Sequence, residues 1–450
     1  MAASLNGDRR VALIGAGYAG MAAAAELSAR GIPVTVFEAS AVLGGRARAV
    51  SIVKAGKRTT VDNGQHLLIG AYRETQRLMR LVGADPGQLL ARSPLALNFP
   101  GDVSIRAPRL PAPLHLAAAL LGARGLNLSE KFAAIRFMRR LKKDRFQAQQ
   151  DGTVAALLER HGQPRRLCKF IWEPLCLAAL NTPADAASAE VFVTVLQDSL
   201  GGATGASDLL LPRADLGALF PDVAARYVEG AGGRVLKNEA IRHIAQASGG
   251  GFMLRSAATD HGRYAQLILA VAPYHLAALI AELPGLDELG RQVAKLSWEP
   301  IVTCYLAYPP TVRLASAMQG HADGLVQWLF DRGQLGGPAG LFAAVISAHG
   351  RHQALSQEQL AARIHEEIAA VTPGLPAPLW SQVISEKRAT FACVPGLDRP
   401  AAATAVPGLF LAGDYVASDY PATLESAVRS GVNAAKCAAR RAAAFANRAA

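Results

Sequence analysis

Residues 11–14, Val-Ala-Leu-Ile, form an unbroken apolar run, and the alanine-rich residues 21–30 that follow favour a helix, so a buried strand and then a helix are predicted. Gly31 stops that helix, Pro33 opens a second apolar run at 34–37, and Glu38 ends it. From residue 71 to 211 apolar positions recur mainly at helical spacing, broken by a proline-rich stretch at 94–113. The second half alternates between strand and helix. Strands are predicted at 241–244, 298–308, 324–330 and 341–347, a hairpin pairs 252–256 with 264–270, and helices cover 219–230 and 357–371. Residues 408–414 read as a buried strand ending in Gly-Asp, and 422–435 as a helix.

Strand-helix-strand at the start and a matching strand and helix at the end predict an α/β fold whose nucleotide-binding domain is discontinuous, built from 1–75, 205–275 and 400–450. Residues 76–204 and 276–399 are then an interleaved α+β domain with a helical insert.

The first turn is Gly15-x-Gly17-x-x-Gly20. In such a turn the glycines serve in order a tight bend, close approach of backbone to a diphosphate, and close helix packing. The diphosphate rests on the helix N-terminus, and Glu38, near the expected spacing, is the predicted ribose ligand. A second glycine turn, Gly44-Gly45, brings Arg46 to where a diphosphate can lie.

Charge narrows the partners. With 47 Lys and Arg against 35 Asp and Glu the net charge is +12, which favours an anionic partner, but no zinc-finger spacing or arginine-rich tract points to nucleic acid. Residues 128–146 collect Lys131, Arg136, Arg139, Arg140, Lys142, Lys143 and Arg145 around Phe132, Ile135, Met138 and Leu141. Such a helix either lies on anionic lipid or packs its stripe on its own domain. Asn6, Asp8, Arg9 and Arg10 interrupt any leader-like apolar segment, and no uncharged run reaches the ~18 residues that span a bilayer, so a cytoplasmic protein is expected, its membrane contact at most peripheral. Cys168, Cys176, Cys304, Cys393 and Cys437 lack metal-ligand spacing and read as reduced thiols, with no metal site expected.

GAGYAG near the start, LGGR after it, LILAVAP in the middle, and LFLAGD followed by ATLESAVRSG together resemble the FAD-dependent amine oxidase and phytoene desaturase superfamily over essentially the whole chain. The resemblance implies FAD in a glutathione-reductase-type Rossmann-like domain, with Gly413 and Asp414 at the diphosphate and ribitol, Val235 holding the adenine by its backbone, and Thr423 and Leu424 beside the flavin. Tyr18, Ala19, Ala39, Gly64, Gln65 and His66 of the same loops join the implied cofactor set. Finer phrases, VDNGQHLLIGAYRETQRLMRLVG and DYPATLESAVRSG above all, are similar to the hydroxysqualene dehydroxylase family. That similarity implies a C30 isoprenoid alcohol as substrate, reduced to squalene by hydride from reduced FAD in an apolar tunnel. The nearest other reading is a carotenoid-type desaturase or isomerase; a flavin amine oxidase and a non-catalytic prenyl carrier are further ones.

Expulsion of hydroxide calls for an acid. His66 is a candidate proton donor, with a structural hydrogen bond as its competing role, and Asp62 either orients it or caps a turn. Glu173 and Asp331 are carboxyls in family-like phrases that burial can make acidic catalysts or that ion pairs can make structural. Tyr420 packs near the flavin or serves the core, and Trp172, Phe192, Trp298 and Trp328 are candidates to line the tunnel. No second GxGxxG is present for NAD(P)H, which points to a free reductant or a partner reductase as electron donor.

Overall fold

The computed structural model describes residues 10–54, 56–148 and 151–449, with side chains through residue 443; Asn6, Asp8 and Arg9 lie outside these residues. Two five-stranded sheets organise the chain. In chain order their strands are β1 (Val11–Ile14), β2 (Val34–Phe37), β3 (Arg234–Leu236), β4 (Gln266–Leu269), β5 (Trp298–Ala307), β6 (Met318–Gly320), β7 (Trp328–Asp331), β8 (Leu341–Ser347), β9 (Trp380–Phe391) and β10 (Leu409–Leu411).

The first sheet has the order β3-β2-β1-β4-β10 with parallel pairing throughout. β1, β2, β4 and β10 are buried at every position, which is why they read as unbroken apolar runs: both faces of a parallel sheet are covered. Strand order reverses between β1 and β4, and at that reversal the carboxyl ends of the strands open a crevice. Helix α1 (Tyr18–Ser28) covers one face and is itself buried along all but its end. The last helix, α6 (Leu424–Ala449), crosses it at Gly431, where a Cβ would stand 2.1 Å from the Ala19 carbonyl oxygen. A run of alanines facing a glycine is what lets the two helices approach so closely.

The second sheet, β6-β7-β8-β5-β9, is antiparallel. Alternate residues on its strands, Trp328 with Phe330 and Val345 with Ser347, face one large cavity, as the two-residue period of a strand requires. Over that face lie α4 (Glu173–Leu180) and α5 (Ala189–Ser199), preceded in the chain by α2 (Leu114–Leu121) and α3 (Leu128–Lys143). From α5, Phe192, Val195, Leu196 and Ser199 point into the cavity at helical spacing.

Several boundaries differ from the sequence reading. Residues 252–256 pair antiparallel with Asp260–Tyr264, while Gln266–Leu269 joins the parallel sheet, so the expected hairpin closes earlier. The predicted strand at 324–330 begins only at Trp328. The twelve-residue strand β9 carries no clean alternation, because Glu386, Lys387 and Arg388 interrupt it. The block at 71–211 also holds the short strands Leu90–Ser93, Ala96–Phe99, Val103–Arg106 and Leu209–Pro212. In α3 the inward face is Ala133, Ala134, Phe137 and Leu141; Ile135 and Met138 are half-buried and Phe132 is exposed, so the apolar stripe is rotated from the one expected.

Candidate active site

A cavity of about 780 Å³ runs from the glycine turns to the second sheet. Its polar end is built by three loops. Gly15, at φ +103°, makes the bend, and a Cβ there would meet the Ala270 carbonyl at 2.5 Å. Gly20 packs against the turn itself: its Cβ would lie 1.9 Å from the Gly15 oxygen. Gly17 differs, since nothing from the protein comes within 3.9 Å of its missing Cβ and it lines the cavity.

The amide of Met21 is the first to bond within α1, to Gly17, and no side chain caps the helix. Its first-turn amides therefore face the cavity beside Tyr18 and Ala19, a donor set that suits a diphosphate. Glu38 accepts from the Ala16 amide at 2.7 Å and the Ser40 amide at 2.9 Å, which fixes the carboxylate at the rim together with Ala39.

The second glycine turn is tied to the first, the Gly44 amide donating to the Ala16 carbonyl at 2.9 Å. Beyond Gly45, which also lines the cavity, Arg46 donates to Asp414 Oδ1 at 2.6 Å and to the Ala389 carbonyl at 2.7 Å. Asn63, absent from the sequence-derived set, stitches this turn to the next loop: its amide nitrogen donates to the Arg46 carbonyl at 2.6 Å while its oxygen accepts from the Arg48 amide. Gly413, Asp414, Thr423 and Leu424 close the same end from the C-terminal part of the chain. Open space at Gly17, uncapped amides and a fixed cation–carboxylate pair together fit a dinucleotide.

Of the residues expected at the cofactor, Gly20 and Val235 do not line the cavity. Val235 sits in edge strand β3 paired with Val36, and the lining at this edge is Glu239, Ala240, Ile241 and Arg242.

The other end of the cavity is apolar, with Leu95, Leu97, Leu175, Phe192, Trp328 and Phe330 among its walls. Trp172 is buried elsewhere, donating from its indole to Gln163, and Trp298 packs edge-on against Tyr274; neither lines the cavity.

The candidate acids separate sharply. His66 lines the cavity with Gly64 and Gln65, and its Nδ1 is 2.6 Å from the Gly64 carbonyl. A carbonyl accepts only, so Nδ1 carries the hydrogen and Nε2 the lone pair; burial, partly opposed by that hydrogen bond, lowers its pKa and favours the neutral ring. In that state His66 accepts a hydrogen bond rather than donating a proton.

Asp62, Glu173 and Asp331 do not line the cavity. Asp62 accepts from the Leu216 amide at 2.8 Å, with burial raising its pKa to about 6, and so holds a neighbouring turn rather than His66. Glu173 is paired with Arg165. Asp331 caps the turn after β7, with bonds from the Gly333 and Leu314 amides and the Gln334 side chain occupying both its oxygens.

Tyr420 lines the cavity beneath the Arg429 guanidinium, 4.1 Å from its ring. Near it, sequence reasoning missed Tyr72, which lines the cavity with Thr423, and Asp198 at the end of α5. Tyr72 lies inside the phrase VDNGQHLLIGAYRETQRLMRLVG, where nothing marks it as a site residue, and Asp198 lies in no such phrase. The one sequence signal at Asp198 is an acid in the last turn of a helix, where the dipole disfavours it.

A dinucleotide-binding sheet joined to an apolar cavity over a second, antiparallel sheet defines a flavoprotein oxidoreductase. Residues 18–439 match the family of flavin containing amine oxidoreductases, and the chain belongs to that family; its cofactor is FAD. The chain is 29% identical to the hydroxysqualene dehydroxylase of Sinorhizobium fredii over 96% of its own length and 98% of that protein's. It is 24% identical to the zeta-carotene desaturase of Solanum lycopersicum, covering 94% of this chain and 79% of the other. Among solved structures it shares the fold of the cyclohexylamine oxidase of Brevibacterium oxydans, with a TM-score of 0.68 at 18% identity, covering 96% of this chain and 99% of that one.

Proposed function

We propose that the protein is a hydroxysqualene dehydroxylase, replacing the hydroxyl of the C30 allylic alcohol by hydrogen to give squalene. The observation that carries the reading is one cavity with a dinucleotide-binding end and a long hydrocarbon-lined end. The similarity over nearly the full length to a protein of that name supports it.

Bound reduced FAD supplies hydride in this chemistry. The chain's own part is to hold and shield. Leu95, Leu97, Leu175, Phe192 and Trp328 offer an isoprenoid chain an apolar wall that keeps water from a developing allylic cation. His66 Nε2 can accept the substrate hydroxyl's hydrogen and so orient its C–O bond. The first-turn amides of α1, with Arg46, Asp414 and Glu38, would hold the diphosphate and ribose. We assign 1–75, 205–275 and 400–450 to the cofactor and 76–204 and 276–399 to the substrate, with Ala389 of the second block reaching the dinucleotide end through Arg46.

A peripheral membrane contact fits the same substrate. No helix among the described residues is long and apolar enough to cross a membrane. Leu114, Leu121, Leu128 and Phe132 are each more than half exposed, on consecutive helices that also carry Arg136, Arg139 and Arg140 at the surface. Apolar side chains beside exposed cations suit an anionic bilayer. The electron donor would be a free nicotinamide or a partner reductase.

Zeta-carotene desaturation is the second reading, favoured by the relative of that name. Incubating the protein with hydroxysqualene and with zeta-carotene, each with oxidised and with reduced cofactor, separates them. Squalene formed only under reduction supports dehydroxylation; a carotene lacking two hydrogens, formed only under oxidation, overturns it.

A further inference from the structure

The reaction needs a proton on the departing oxygen, and the structure allows the carboxyls around the cavity to be accounted for one by one. Glu38 is bound by the Ala16 and Ser40 amides. Asp414 is paired with Arg46, Glu239 with His261 at 3.0 Å, and Glu386 accepts from the Arg388 amide. Asp198 is the remaining lining carboxyl, and among the described residues nothing is hydrogen-bonded to it. It stands in the last turn of α5, one residue before Ser199. There the unpaired carbonyl ends of the helix disfavour a negative charge.

Its surroundings tie it to the cofactor end. Arg429 acts electrostatically on both Asp198 and Tyr72 and also covers the Tyr420 ring, and Tyr72 and Thr423 line the same cavity. Asp198 therefore belongs to the wall formed by Tyr72, Tyr420 and Thr423, where the apolar end meets the loops that close the dinucleotide end.

We propose that Asp198 is the general acid that protonates the leaving hydroxyl of the substrate. The inference rests on the dehydroxylase reading. The Asp198 carboxyl gives its proton to the substrate oxygen, the C–O bond breaks with its electron pair leaving on water, and the allylic carbon takes hydride from the reduced cofactor. Alcohol, one proton and one hydride thus become hydrocarbon and water. Asp198 is left as a carboxylate that regains its proton from solvent. Burial raises the Asp198 pKa; Arg429 and Arg73 oppose that rise and Glu425 adds to it. Glu425 is itself held by the Glu74 and Thr75 amides, the Thr75 hydroxyl and Arg429, so its charge is a fixed part of the site.

The test compares wild type with Asp198→Asn and Asp198→Glu as holoproteins. Oxidised Asp198→Asn should bind hydroxysqualene with an affinity within about twofold of wild type, read from the substrate-induced change in flavin absorbance. Single-turnover conversion by the reduced variant should fall ~100-fold or more, the usual scale for losing a general acid, with partial recovery in Asp198→Glu. The wild-type rate should decline as pH rises through the carboxyl's titration, and this limb should vanish in Asp198→Asn.

Infrared spectra of resting holoprotein give a readout that needs no turnover: a protonated-carboxyl band that Asp198→Asn removes. Conversion by Asp198→Asn at near wild-type rate overturns the proposal, as does the absence of that band from wild type. Failure of wild type itself to convert hydroxysqualene strikes the dehydroxylase reading instead, and the band then still reports whether Asp198 holds a proton.

Discussion

Arg46 donates to Asp414 across 2.6 Å, joining residues 368 positions apart into one polar wall. Neither works alone: the arginine comes from the second glycine turn, the aspartate from the end of β10, and only the fold makes them neighbours. Arg46 is partly exposed and Asp414 nearly buried, so removing one partner leaves a charge that water reaches poorly. Asp414→Ala should lower stability by about 2 kcal/mol, the range for a hydrogen bond to a charged group, and yield protein depleted of FAD. Urea unfolding and the flavin-to-protein absorbance ratio check both.

The three glycines of the first turn should separate by function. Gly20→Ala forces a carbon to within 1.9 Å of the Gly15 oxygen and should give insoluble or unfolded protein. Gly17→Ala meets no protein atom closer than 3.9 Å and keeps an ordinary backbone conformation, so it should fold, with its new methyl standing in the space a diphosphate would take. Circular dichroism with FAD titration distinguishes them: near-native structure and at least tenfold weaker FAD binding for Gly17→Ala.

Asp62 should make the protein less stable as pH rises. Its folded pKa, raised by burial from 3.8 to about 6, exceeds the unfolded value, so the folded state holds the proton more tightly. The cost of ionising it is absent below 3.8, grows through that interval and is complete above about 6. At 1.36 kcal/mol per unit this is on the order of 3 kcal/mol. Asp62→Asn keeps an oxygen for the Leu216 amide and loses the charge, so its stability relative to wild type should improve between about pH 4 and pH 7 while turnover is retained. Denaturant melts across that range measure it.

His66 works with the opposite sign. Burial lowers its pKa, so the unfolded chain binds protons more readily and the stability held by the neutral ring is lost as pH falls through the unfolded value of 6.5. His66→Gln can still donate to the Gly64 carbonyl and should show a smaller fall in Tm than wild type on acidification. It should also convert substrate more slowly, because Nε2 no longer orients the hydroxyl. Equal falls in Tm for both proteins would contradict the neutral ring.

Liposome flotation tests the membrane contact. Leu128→Ser with Phe132→Ser removes two of the most exposed apolar side chains and should abolish flotation on anionic vesicles; changing Arg139, Arg140, Lys142 and Lys143 to Ser should weaken it in a salt-sensitive way. Unchanged flotation of both variants removes this surface from the account.

The cofactor end was legible because glycine has few substitutes: Gly15 and Gly20 admit no Cβ, and Gly-Asp at the end of a buried strand fixes where the chain returns. The catalytic end was not. Glu173 and Asp331 drew attention through the phrases around them, yet those phrases encode an ion pair and a turn cap. Asn63 takes its meaning from the Arg46 to Arg48 turn that it ties down, and Asp198 from Arg429 and the cavity-closing loops far away in sequence. Val235 lies in an edge strand a few residues before the turn that lines the cavity, a placement that hydrophobicity alone does not separate from the turn.

Reductive loss of the hydroxyl is read directly from the mass of the product formed from hydroxysqualene by anaerobically reduced protein in D2O. Hydrogen on the reduced flavin exchanges with solvent, so the account predicts squalene carrying one deuterium at the former carbinol carbon. Recovery of unchanged alcohol, or a product that keeps its oxygen and has lost two hydrogens, would contradict it.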